Sequence, residues 1–326
     1  MAKGAESQAE NSLIRRADFL FSFCGEKKRG NGEDSYFYAL NVDRAMLAVF
    51  DGCGVSGSGT FPALRGKTGA YLSARAVCAA WLDWFEAIPP TWEGDETELL
   101  QRTTDYLRRC EAHAGQERGK PLERVPRKLP ASAAAALCRS ERSGLDVRLF
   151  WAGDSRVYLL DSEGLAQLTE DDRGGVDAMG SLSGAGSLTN VISLSRDFSI
   201  HSARLNMGRP GLVFAATAGC FGHLSTPMEF EYLLLNSLLS APNVQEWEKS
   251  LKTAVGKDAG DDYTVSGAAF GFGGLDELKR QLAGRARLLY RTYIYGLDGC
   301  SKEEKQQLWE HYKPNYERLL CRVTGE

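Results

Sequence analysis

Apolar and aromatic side chains crowd residues 18–24, 35–40 and 46–50, three short runs separated by turn-rich gaps. That is the pattern of neighbouring antiparallel strands. Between residues 65 and 88 the period changes, and Ala70, Ala74, Val77, Trp81, Phe85 and Ile88 form a helical stripe. A second helix fits residues 96–114, with Leu100, Leu107 and Cys110 along one side, and the Pro89-Pro90 pair separates the two. Strand patterns return at 133–138, 147–152, 157–160, 199–205, 212–217 and 264–272. A helix is expected over 228–254 and a Gly/Ser-rich loop over 174–187. This order predicts an α+β domain in which helices cover antiparallel sheets. Further on, Leu275, Leu278, Leu282, Leu289 and Tyr293 recur at helical spacing. Ser301-Lys302-Glu303-Glu304 is a capping box for a last helix carrying Leu308, Tyr312 and Leu319, which Pro314 is expected to kink or end. The expected organisation is a polar N-terminal segment over 1–16, a main domain over 17–273 and a C-terminal helical extension over 274–326.

Composition narrows the setting. A chain of 326 residues suffices for one large domain or two modest ones, and 43% hydrophobic with 25% charged residues is ordinary for a soluble globular protein. The net charge of −4 gives no global basic field, so nucleic acid is not an expected partner. The eight cysteines form no C-x-x-C pair and several lie in apolar runs, the usage of reduced, buried thiols. No N-terminal basic segment precedes an apolar stretch, and no run approaches the roughly 18 apolar residues of a membrane span. A cytoplasmic protein without membrane contact is expected. The four histidines lack zinc-site spacing, and Arg65-Gly66-Lys67-Thr68-Gly69 is not a P-loop, because Phe61 stands where its first glycine belongs.

Chemistry concentrates at strand ends. Glu33-Asp34, Asp51-Gly52, Gly153-Asp154-Ser155-Arg156 and Gly260-Asp261-Asp262 each sit at the edge of an expected strand. Hard divalent ions take oxygen ligands, and carboxylates delivered by strand ends can converge on them. Any one cluster alone reads sooner as a turn. Together and in order, Arg29-Gly30-Asn31-Gly32-Glu33-Asp34, Val49-Phe50-Asp51-Gly52, Gly153-Asp154-Ser155-Arg156-Val157-Tyr158, Thr217-Ala218-Gly219 and Asp261-Asp262-Tyr263-Thr264 resemble the motifs of the PPM (protein phosphatase 2C-like) serine/threonine phosphatases.

The resemblance implies an αββα four-layer β-sandwich flanked by helices, with two Mn²⁺ or Mg²⁺ ions at one end. It implies that Asp51 bridges both ions, that the Gly52 carbonyl faces one of them, that Asp261 holds the first and Glu33 acts on the second largely through water, and that Asp154 contributes to a third, weaker metal. It further implies that Arg29 grips the phosphoryl group, that the substrate is a phosphorylated protein, and that a serine/threonine kinase is the counterpart. Two positions depart from the pattern. Cys53 replaces a histidine common in eukaryotic members, which points to the bacterial type; a cysteine-phosphatase loop is absent, since Gly59 stands where its arginine belongs. Ala218 replaces the aspartate of Thr-Asp-Gly, leaving a vacant ligand position. The other ligands are all retained, which favours a deliberate inactivating change over a natural pseudophosphatase acting as a phosphoprotein-binding scaffold. At least one metal anchored by Asp51 and strongly reduced turnover are expected. For the C-terminal helices two readings stand open: packing on the sandwich, or a docking surface for a regulatory partner built from Arg280, Arg285, Arg287, Arg291, Tyr290, Tyr293 and Tyr295.

Overall fold

A computed structural model describes residues 17–41, 44–89, 95–115, 118, 127–141, 144–182 and 186–322. The polar segment 1–16 lies outside them. The strands are β1 (Ala17–Gly25), β2 (Ser35–Leu40), β3 (Arg44–Gly52), β4 (Thr60–Phe61), β5 (Lys67–Thr68), β6 (Ala131–Glu141), β7 (Gly144–Ala152), β8 (Arg156–Asp161), β9 (Gly164–Gln167), β10 (His201–Met207), β11 (Gly211–Ala216) and β12 (Tyr263–Phe270). The α-helices are α1 (Gly69–Ala87), α2 (Glu96–Ala114), α3 (Ala178–Leu182), α4 (Pro227–Ser240), α5 (Val244–Gly256), α6 (Leu275–Leu289) and α7 (Lys302–Tyr316). Two five-stranded antiparallel sheets, ordered β1-β12-β11-β8-β9 and β10-β7-β6-β3-β2, form a sandwich.

Strand β3 shows why both sheets are covered on two faces. Leu47 and Val49 enter the layer between the sheets with Ala134, Ala136, Val213, Ala215 and Ala268. Met46, Ala48 and Phe50 point the other way, into a core shared with α1 and α2. An unbroken apolar run is what such a strand requires. Phe50 meets Trp81 of α1 edge-on at 5.4 Å, and Phe21 of β1 packs 4.6 Å from Trp247 of α5 on the opposite side. Each large side chain buried this way stabilises the fold by roughly 1.5–3 kcal/mol. No described helix is long and apolar enough to cross a membrane.

Three expectations shift. The helix expected over 228–254 is two helices, because Pro242 cannot continue α4 and Asn243 caps α5, accepting from the Glu246 N–H at 2.9 Å. Helix α1 starts at Gly69 rather than residue 65: Arg65 turns left-handed (φ 58°) and Thr68 accepts from the Tyr71 N–H. The Gly/Ser-rich stretch contains the short helix α3.

The C-terminal helices pack on the sandwich. Leu278, Leu282, Tyr293, Trp309, Tyr312 and Tyr316 share one buried cluster with Tyr158 of β8 and Phe214 of β11. Arg285 turns inward to pair with fully buried Glu231 (2.6 Å), which also accepts from the Tyr312 hydroxyl (2.5 Å). The Cys321 N–H reaches the Leu168 carbonyl at 2.8 Å, tying the tail to the end of β9. Trp309→Ala is therefore expected to cost about 3–5 kcal/mol, read from urea unfolding; a loss below about 1 kcal/mol would place α7 outside the core.

Candidate metal and phosphate site

The clusters marked in the sequence converge at one end of the sandwich, where β3, the β7–β8 turn, the turn after β11 and the turn before β12 meet the β1–β2 loop. The ladders bring them together: β3 pairs with β6, β6 with β7, and β12 lies between β1 and β11. A cleft of about 580 Å³ opens there, lined by Asp51, Cys53, Asp154, Ala218 and Asp261, with Lys27, Arg127 and Arg173 as its cationic side chains.

Two buried aspartates fix the frame. Asp262 accepts the backbone N–H groups of Lys27 (2.7 Å) and Glu33 (2.6 Å), stapling the β1–β2 loop to the turn before β12. Asp34 accepts the Thr217 hydroxyl (2.9 Å) and the Thr264 hydroxyl (2.8 Å) on one oxygen. Its other oxygen is buried with no partner. Burial pushes the Asp34 carboxyl up to about 7; the two threonine bonds oppose that rise and Asp262 and Asp261 add to it. Glycine is obligatory at two contacts. A Cβ on Gly219 would stand 1.8 Å from the Asp262 carbonyl, and one on Gly52 would stand 2.4 Å from the Ala70 carbonyl of α1. The Thr217-Ala218-Gly219 turn is thus pressed directly against Asp261-Asp262.

Asp51 lies at the centre of the acidic residues. Burial first, then Asp34, Asp154, Asp261 and Asp262, hold its carboxyl well above the usual range. Asp154, buried, pairs with Arg173 at 2.6 Å. Glu33 accepts the Thr68 hydroxyl; it does not line the cleft. Arg29 is exposed in the loop and does not line it either.

No family model matches the sequence, and no curated protein matches it significantly. Among solved structures, the PPM Ser-Thr phosphatase MsPP from Mycobacterium smegmatis, in complex with cacodylate, is similar at 14% identity over 77% of this chain and 98% of that one, with a TM-score of 0.52. The serine/threonine phosphatase Stp1 from Staphylococcus aureus is similar at 15% identity over 79% and 96%, with a TM-score of 0.59. This chain has the PPM phosphatase fold. The catalytic domain of PstP, solved with two manganese ions, shares that PPM fold at 18% identity and a TM-score of 0.50, over 77% of this chain and 97% of that one.

Whether a PPM metal pair suits these residues is a question of donors. Among the described residues no three histidine, cysteine or acidic side chains already form a closed ligand group. The reason is visible: Glu33 is turned to Thr68 and Asp154 to Arg173. Yet Asp51 and Asp261 both face the cleft, the spare Asp34 oxygen lacks a donor, and four further aspartates raise Asp51. Such crowding of like charges suits a divalent cation. A third cation at Asp154 does not suit them, because Arg173 already neutralises that carboxylate and the Ala218 methyl offers no oxygen. Burial, with Asp51 and Asp154 behind it, drives the Cys53 thiol well up, away from a reactive thiolate.

Arg127, Arg173 and the packing role of Asp34 carried no motif signal; both arginines lie in aperiodic stretches, where only proximity in the fold gives them meaning. For the turn itself, Gly219→Ala is expected to destabilise the protein by about 3 kcal/mol, measured by denaturant unfolding, since the Asp262 backbone must move. An unchanged midpoint would show that the turn is not held against Asp262.

Proposed function

We propose that this chain is a metal-dependent phosphatase of the PPM type, acting in the cytoplasm on phosphoserine or phosphothreonine of proteins modified by a serine/threonine kinase. The observation that carries the reading is Asp51, Asp154 and Asp261 lining one cleft together with three cationic side chains, in this fold. Asp51, the Gly52 carbonyl and Asp261 would hold two Mn²⁺ or Mg²⁺ ions, with Glu33, which is turned to Thr68, acting through water. When bound, such ions supply Lewis acidity that makes water a nucleophile at neutral pH and offsets phosphoryl charge.

The chain's own groups do the rest. Asp262 and Asp34 keep the ligand-bearing loops in register. Lys27, Arg127 and Arg173 offer cationic donors in the cleft with which a phosphomonoester dianion could pair once cations offset the carboxylates. The apolar layers behind Phe50 and Phe214 hold the strand ends rigid, so the carboxylates need not reorganise when substrate arrives.

Ala218 bears on turnover rather than on the frame. It sits in the cleft where an aspartate would complete the ligand set of the ion held by Asp261. That supports a second reading, a silent phosphoprotein-binding scaffold on the same fold. The two separate in a Mn²⁺-dependent p-nitrophenyl phosphate assay. Ala218→Asp is expected to raise hydrolysis roughly 10–100-fold over the unaltered chain. If the variant with excess Mn²⁺ neither binds metal nor turns over, the phosphatase reading is lost.

A further inference from the structure

The phosphoryl anchor expected from the motifs, Arg29, stands exposed outside the cleft, whereas two arginines that no motif marks stand inside it. We propose that Arg127 and Arg173 form the phosphoryl-anchoring pair of this site. The inference rests on the phosphatase reading for the identity of the ligand.

The two guanidinium groups come from different parts of the chain and are set by one segment. Arg173 donates from Nη1 to the Gly186 carbonyl at 2.7 Å, and Arg127 donates from Nη2 to the Leu188 carbonyl at 3.0 Å. Gly186 and Leu188 themselves line the cleft. Carbonyls two residues apart therefore tether both guanidinium groups in the cleft that Asp51 and Asp261 also line. Arg173 is fixed a second time by Asp154, through Nη2 at 2.6 Å, while its Nε is buried without an acceptor. A buried donor left without an acceptor carries a desolvation cost. Asp154 is in this account a positioning residue: it orients Arg173 and does not ligate a cation.

The chemistry fits a tetrahedral dianion better than a carboxylate or a neutral ligand. Planar guanidinium forks match pairs of phosphoryl oxygens, and guanidinium groups already immobilised lose little freedom on binding. Lys27 at the rim adds a third positive charge, as a point charge without a fork.

The test is binding of inorganic phosphate to the full chain by isothermal titration calorimetry, with and without saturating Mn²⁺. Arg127→Met and Arg173→Met are each expected to weaken phosphate at least tenfold, Arg29→Met less than twofold. Arg173→Lys, which keeps the charge and loses the fork, should fall between Arg173→Met and the unaltered chain. The lysine variant also guards against misfolding, since its melting temperature should match that of the unaltered chain. Failure of phosphate to bind in either condition overturns the inference, as does an Arg29→Met loss equal to that of Arg173→Met. If the pair binds phosphate while Ala218→Asp remains inert with Mn²⁺, hydrolysis is what fails and the anchoring pair stands.

Discussion

The carboxylate of Asp262 is the tie on which the site depends. By accepting two backbone N–H groups of the β1–β2 loop, it fixes where Lys27 and Glu33 stand relative to β12. The same residue's carbonyl sits against Gly219, so the turn carrying Ala218 is located by the backbone of the residue whose side chain locates the loop. Asp34 completes the arrangement from the other side through Thr217 and Thr264, and Thr217 in turn accepts the Thr264 N–H at 2.9 Å. Charge-assisted bonds of this kind, buried and short, are among the stronger polar contacts available to a fold. They bring acidic groups together at an electrostatic cost that a bound cation would relieve.

The sandwich supplies the rigidity these contacts need. Strand β3 is apolar on both faces because it is packed between the inner layer and α1, and its last two residues are the Asp51-Gly52 pair. Gly52 allows the first turn of α1 to lie against it, which ties the Asp51 end of the strand to the helix behind it. On the opposite side, α6 and α7 extend the core of the other sheet, and α7 holds the segment after Arg173: Asp177, four residues beyond it, accepts from Trp309 Nε1 and Lys313 Nζ at 2.8 Å each. The segment that carries Arg173 is thereby anchored between the C-terminal helix and the site.

Much of this was legible in the sequence. Strand-end acids were readable because each borders an apolar run: Asp51 and Asp154 close one and Asp261 precedes one, while their meeting at one site was implied by the resemblance to the PPM phosphatases. The order of strands and helices likewise gave an α+β domain with helices over antiparallel sheets, and the resemblance implied the sandwich. Side-chain partners were not readable. Asp34 appears beside Glu33 as a second acid, and only the fold shows that it faces two threonines some two hundred residues away. Arg29 had the right spacing from Glu33, yet the loop turns it outward. Arg127 and Arg173 lie in segments without periodicity, and their convergence comes from carbonyls of a third segment. Pro242 ended a helix that periodicity alone would have continued.

Everything proposed for this site depends on whether the aspartates near Asp51 hold cations. Crystals grown with Mn²⁺ and measured at the manganese absorption edge answer that without recourse to activity. Anomalous peaks are expected on either side of the Asp51 carboxylate, about 3.5–4 Å apart, with none at Asp154, where Arg173 stands. A manganese-soaked structure with no anomalous density within coordination distance of Asp51 would contradict it.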